Sequence, residues 1–169
     1  MEHYTDIHDI KRIIPHTHAI NAEWLVNYFG TLSVDQTLEC LKEMLSNNLR
    51  QNLQVVVQIA IKYSEQLQPH NLIDLFESYK CNEGLYYYLG SIVNVSQDPL
   101  VNFKYIQASC RTGNVREAER ICRESSYYDA EKVKNFLKVK NRKSCDNDRR
   151  RHLYRYLLLL IIIIIITTH

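Results

Sequence analysis

His16-Thr17-His18 is the nearest this chain comes to a pair of metal ligands, since two imidazoles one residue apart can share a cation once further donors join them. Placed directly after Pro15, the two histidines are expected on a short solvated loop and not in a ligand set. Cys110 and Cys122 are the second candidate, because a turn at Gly113 would fold two helices back on each other and bring the thiols near in space. A zinc site needs two more ligands, and none offers itself, so the expected role is that of two small side chains packed where helices approach. The third candidate is Tyr86-Tyr87-Tyr88, with Phe76, Tyr79, Phe103 and Tyr105 nearby in sequence. Aromatic side chains on a concave helical surface can anchor a peptide. Three consecutive helical positions point in three directions, however, so one tyrosine is expected in the core, one at its boundary and one in solvent. That favours packing over recognition.

Other chemistry is missing from the sequence. It contains no GxxxxGK[ST] run to cradle phosphate, no GxGxxG, no HExxH and no GxSxG elbow. No catalytic residue, metal ligand or cofactor-binding residue is nominated, and the chain is not expected to be an enzyme. The net charge of +2 is unevenly spread: residues 140–155 hold seven Lys or Arg against two Asp, which leaves the remainder mildly acidic. Such a body has no basic stripe with which to grip a nucleic acid. The five cysteines, at positions 40, 81, 110, 122 and 145, form no CxxC pair and follow no secretory signal, as expected of reduced thiols in the cytosol. In that compartment the glycosylation pattern Asn94-Val95-Ser96 carries no meaning.

The elements that must position these residues read as helices. With four glycines and three prolines in 169 residues, the chain has too few turns for a sandwich or barrel. Ile7, Ile10, Ile13 and Ile14 form a first stripe ended by Pro15, and Asn21 caps a segment that Gly30 stops. Ser33 with Gln36 makes a capping box, and a long helix from about Leu49 to Gln66 is apolar on more than one face, which predicts neighbours on both sides. Pro69 opens the next helix, Cys81-Asn82 is a turn, and another helix runs from Glu83 to about Val95. Asp98-Pro99 starts a helix to Arg111, Gly113 turns it, Asn114 with Glu117 boxes the next to Glu124, and a last begins at Asp129. Nine helices with short links predict an all-α fold, an α-α superhelix or α-solenoid of stacked antiparallel hairpins. The pair Ala108 to Arg123 is similar to a tetratricopeptide hairpin. The isoleucine stripe at the start lacks the polar face of a solenoid end, so the chain is expected to be cut from something longer.

The wording of this region also resembles a family. Leu75-Phe76-Glu77-Ser78-Tyr79-Lys80, Glu83-Gly84-Leu85-Tyr86-Tyr87-Tyr88-Leu89-Gly90-Ser91-Ile92-Val93-Asn94, Ser96-Gln97-Asp98-Pro99, Phe103-Lys104-Tyr105-Ile106-Gln107-Ala108 and Glu119-Arg120-Ile121-Cys122-Arg123-Glu124-Ser125 look like the leg of the clathrin heavy chain. Asp9-Ile10-Lys11-Arg12, Glu23-Trp24-Leu25-Val26-Asn27 and Arg50-Gln51-Asn52-Leu53-Gln54 resemble it as well. The resemblance covers residues 1–138 without a gap and stops after Lys138. It implies a structural leg segment near the ankle, on the cytoplasmic face of coated vesicles and coated pits, serving vesicle-mediated transport and endocytosis. Its implied partners are proteins: other heavy-chain legs in a lattice, and adaptors. It implies no nucleic acid, and membrane association through the coat alone. On this basis the fragment would lack the propeller and the trimerisation segment and could not form a cage by itself. The alternative is a generic helical-repeat adaptor or vacuolar-sorting tether subunit.

Residues 139–169 are of another kind: a basic stretch, then four leucines followed by six isoleucines. Ten apolar residues at about 1.5 Å each reach roughly half of a ~30 Å hydrocarbon core, too short to cross it. The tail is expected to be disordered or non-native, the product of translation past an exon boundary. The rival reading is a basic amphipathic tail on acidic lipid.

Overall fold

The computed structural model describes Arg12, residues 14–143 and residues 148–167; Ile7, Ile10, Ile13 and Cys145 lie outside them. Among the described residues the regular structure is helical, with nine α-helices and no strand. The all-α expectation therefore holds, and most helix ends fall where the capping residues place them.

A 3-10 turn, Ile14–Ala19, precedes α1, Ala22–Phe29. The Asn21 side chain opens α1 by accepting from the Trp24 amide at 3.0 Å. The expected capping box opens α2, Val34–Lys62: the Gln36 amide donates to Ser33 Oγ at 3.3 Å and the Ser33 amide to Gln36 Oε1 at 3.1 Å.

Two separate helices were expected here, and the structure joins them across a break at Asn48, whose φ of −152° and ψ of 90° are not helical. Asn48 acts as an internal cap, its Oδ1 accepting from the Gln51 amide at 3.2 Å, so the second half starts at Leu49 as its sequence indicates. The break removes intrahelical donors from the carbonyls of the preceding turn. Asn52, buried in the second half, compensates by donating to the Met44 carbonyl at 2.7 Å, while its Oδ1 accepts from Thr17 Oγ1 at 2.6 Å. One amide thus ties the break to the 3-10 turn. Asn52→Ala should cost about 1–3 kcal/mol in urea denaturation, because two buried polar groups lose their partner. A loss below about 0.5 kcal/mol, the range of an uninvolved surface site, would contradict this role.

The second half of α2 ends at Lys62, short of the expected Gln66, and α3, Ser64–Leu67, follows. Gln68, at a φ of 64°, then leads into α4, Pro69–Ser78, with proline at the first helical position. Lys80, at a φ of 53°, turns the chain into α5, Asn82–Ile92. Two compact units are defined, Met1–Ser91 and Ile92–His169. In the first, α2 carries α1, α3, α4 and the 3-10 turn on its sides. Leu41, Met44, Val56, Ile59, Phe76 and Tyr88 are fully buried there.

The second unit begins with α6, Pro99–Thr112, where Asp98 Oδ1 accepts from the Leu100 amide at 2.8 Å. Gly113 ends α6 at a φ of 88°, the left-handed conformation a glycine adopts without strain, and α7, Val115–Glu124, returns alongside. The expected Asn114–Glu117 box is not made: Asn114 donates to Thr112 Oγ1 at 3.0 Å, and Glu117 is taken by Arg120 and the Tyr105 hydroxyl. After Asp129, which caps the Lys132 amide at 3.0 Å, come α8, Ala130–Lys143, and α9, Asp148–Thr167. Helix α8 lies on α6 and α9 on α7, so one hairpin stacks on the other as in a helical solenoid.

The described residues of the tail are helical, and Lys138 sits inside α8. The physical reason lies in composition. Arginine and leucine are good helix formers, and an uninterrupted apolar run always offers a face to bury. Tyr154, Leu157 and Ile161 occupy that face, and the Tyr154 hydroxyl donates to the Cys110 carbonyl at 2.8 Å.

Candidate functional site

The histidine pair sits on the 3-10 turn and not on an open loop. His16 is exposed, and between the histidines Thr17 points inward to Asn52. Among the described residues no group of three or more His, Cys, Asp or Glu side chains is placed to hold a metal ion.

Cys110 on α6 and Cys122 on α7 are both buried and unbridged. Burial pushes each thiol up to about 12, and for Cys122 the neighbouring Cys110 adds to the rise. Thiols so raised stay protonated near neutral pH. Tyrosine hydroxyls cap both carbonyls, Tyr154 at Cys110 and Tyr128 at Cys122, each at 2.8 Å. Both side chains are packed where α6 and α7 meet.

The three tyrosines divide as helical geometry requires: Tyr88 is fully buried, Tyr86 half-buried, and Tyr87 is 60% exposed. Tyr88 packs its ring 6.0 Å from that of Phe76 and pairs its hydroxyl with Ser64 Oγ at 2.8 Å. Tyr79 is half-buried in the same unit, whereas Phe103 and Tyr105 belong to the other. Only Tyr87 of the group faces open space.

Tyr87 forms one wall of a groove of about 450 Å³ whose floor is the second half of α2. Arg50, Leu53, Val57 and Ile61 follow one another along that helix at spacings of three and four, so they form a single ridge. Ile61 is 41% exposed, although Val56, Ile59 and Ala60 on the neighbouring face are fully buried. Surplus apolar character in this helix was legible from the sequence, which placed neighbours on both sides. In the unit described, one side is this open groove.

A second depression, of about 540 Å³, lies in the other unit between the loop from Val93 to Gln97 and the end of α7. Its one cation, Arg120, is engaged by Glu117 and Glu124 at 3.0 Å each and donates to Asn94 Oδ1 at 3.1 Å. Asn102 holds the loop beside it, donating to the Asp98 carbonyl at 3.0 Å and accepting from Ser125 Oγ at 2.9 Å. Nothing in the sequence marks Asn52 or Asn102 as buried fasteners, because asparagine at a helical position reads as solvent-facing.

These surfaces offer packing and contact, and among the described residues they hold no cluster placed for a metal ion. Nor is any helix among the described residues long and apolar enough to cross a membrane. Residues 60–144 match the family model described as the region in clathrin and VPS. The chain is 66% identical over 138 residues to the clathrin heavy chain of Drosophila melanogaster and 64% identical over the same length to clathrin heavy chain 2 of Homo sapiens. The clathrin heavy chain of Dictyostelium discoideum is 50% identical over 139 residues. Each alignment takes in 82% of this chain and 8% of the relative, so the chain spans a small part of the proteins it matches. By that match over half of its length, the chain belongs to the clathrin repeat family, the region found in clathrin and VPS.

Proposed function

We propose that this chain is a structural leg segment of a clathrin heavy chain, a helical scaffold piece that packs beside other legs in the coat of vesicles and coated pits. The observation that carries the reading is the 66% identity to a clathrin heavy chain over 138 residues, a stretch that folds as packed helices with α6 and α7 turned back on each other at Gly113. Stacked hairpins bury apolar faces against their neighbours and make a stiff rod from repeated small units. In this role the chain is not an enzyme. It works on the cytoplasmic side of the membrane, taking part in endocytosis and intracellular protein transport through contact with other proteins. The alternative, a free-standing peptide-binding adaptor, is separated by a pull-down on an immobilised adaptor appendage domain. A leg segment should pass through, whereas retention at micromolar concentration would favour the adaptor.

We read the stretch after Lys138 as translation past an exon boundary that happens to meet an apolar face of the last repeat. Sequencing the transcript across the Lys138–Val139 junction tests this. The expected result is unspliced sequence there, and a spliced message that still encodes the tail would overturn it.

A further inference from the structure

We propose that the groove along the second half of α2 is a docking site for an amphipathic helix that carries an acidic residue. From Arg50 to Ile61 the floor is about 16 Å long at 1.5 Å per residue, about three helical turns. A straight ridge of side chains at spacings of three and four, walled by Tyr87, is complementary to the ridge of another helix. No sheet edge is offered for an added strand, because the backbone groups in this half of α2 are spent on its own hydrogen bonds. Leu53, Val57 and Ile61 give the apolar floor, and the exposed amides of Gln54 and Gln58 supply hydrogen bonds at its margin.

Charge selects the occupant further. Arg50 is exposed at one end of the groove, it makes no ion pair among the described residues, and no acidic side chain lines the groove. A carboxylate on the incoming helix would meet that guanidinium above an apolar surface, where a charged pair is screened less than in open water. A second copy of this chain presenting the same groove brings no carboxylate to Arg50. The occupant is therefore a partner helix with two or three apolar side chains at spacings of three and four, and an Asp or Glu at the end lying over Arg50. The inference does not depend on the leg reading, since it rests on the groove alone.

The test uses a fluorescent synthetic peptide of about 14 residues, with leucines at helical spacing and one terminal Glu, and a twin with Lys in place of the Glu. Fluorescence anisotropy with the full chain should show the Glu peptide binding at least tenfold tighter than the Lys peptide. Arg50→Glu should reverse that order, and Tyr87→Ala should weaken both peptides. Circular dichroism of the two exposed-site variants confirms that they fold. Equal binding of the two peptides, no binding, or an order that Arg50→Glu leaves unchanged would overturn the proposal. So would a concentration-dependent dimer in sedimentation that Ile61→Lys abolishes, which would make a second copy the occupant.

Discussion

Phe76→Ala should lower the unfolding free energy by about 3–5 kcal/mol, the range for emptying a fully buried aromatic position. The ring is wholly inaccessible, lies 6.0 Å from the Tyr88 ring, and is pressed against Gly84 at the start of α5. A Cβ built on Gly84 would meet the Phe76 ring at 2.7 Å and Cys81 Sγ at 2.9 Å. Glycine is required there for close approach of α4 and α5, and not for its backbone freedom. Gly84→Ala should therefore destabilise by about 1–3 kcal/mol through overpacking, even though alanine is the better helix former by up to about 1 kcal/mol. The two sites share one volume, so their effects should not add. With Phe76→Leu in place, Gly84→Ala should cost less than in the parent chain, and urea denaturation of the four proteins measures the difference. Additive losses, or a stable Phe76→Ala chain, would show that this contact does not hold α4 to α5.

The second large effect is alkaline. Cys110 and Cys122 are buried thiols raised from an ordinary 9.0 to about 12, so the folded chain keeps protons that the unfolded chain releases. The stability they contribute is complete below pH 9 and is lost as pH rises from there toward 12. Each thiol gives a slope of about 1.4 kcal/mol per pH unit. That slope is approached only above pH 9, so two thiols should remove about 2 kcal/mol between pH 9 and 10, a large share of the margin of a small domain. Tyr128, raised by burial and by the nearby Cys122, steepens the fall above its ordinary value of 10.0. Thermal melts from pH 7.5 to 10.5 should be flat at first and then drop, and the Cys110→Ala, Cys122→Ala double variant should drop less. Parallel curves for parent and double variant would contradict the assignment.

How much of this was legible depends on whether the signal is local. Asn21, the Ser33–Gln36 box, Asp98-Pro99 and Gly113 act through bonds within a few residues of themselves, and each is where its sequence places it. The three directions of Tyr86, Tyr87 and Tyr88 follow from helical periodicity alone. Signals that depend on distant partners were not legible. Asn114 and Glu117 have the spacing of a box, but Arg120 and Tyr105 compete for the same carboxylate and win it. The break at Asn48 survives inside one helix because Asn52 bonds to Met44, and the Asn52–Thr17 bond spans thirty-five residues. The groove is half legible: the excess of apolar residues on α2 shows in the sequence, whereas which face stays open depends on where α5 places Tyr87.

Caps and hairpins are common to many repeat proteins, so the residue identities, more than the helix punctuation, distinguish this chain's family. Phe76 and Gly84 show how the two meet. Both fall in the stretch that resembles the clathrin leg, and both are spent on packing two helices together.

Co-assembly tests the scaffold role most directly. Purified chain is placed under coat-assembly conditions alone and with intact clathrin heavy chain, then pelleted and viewed by electron microscopy. A leg segment should form no lattice alone and should pellet only when heavy chain is present, in an amount that rises with the coats formed. Lattices built by the chain alone, or a chain that stays in the supernatant whatever the amount of coat, would contradict it.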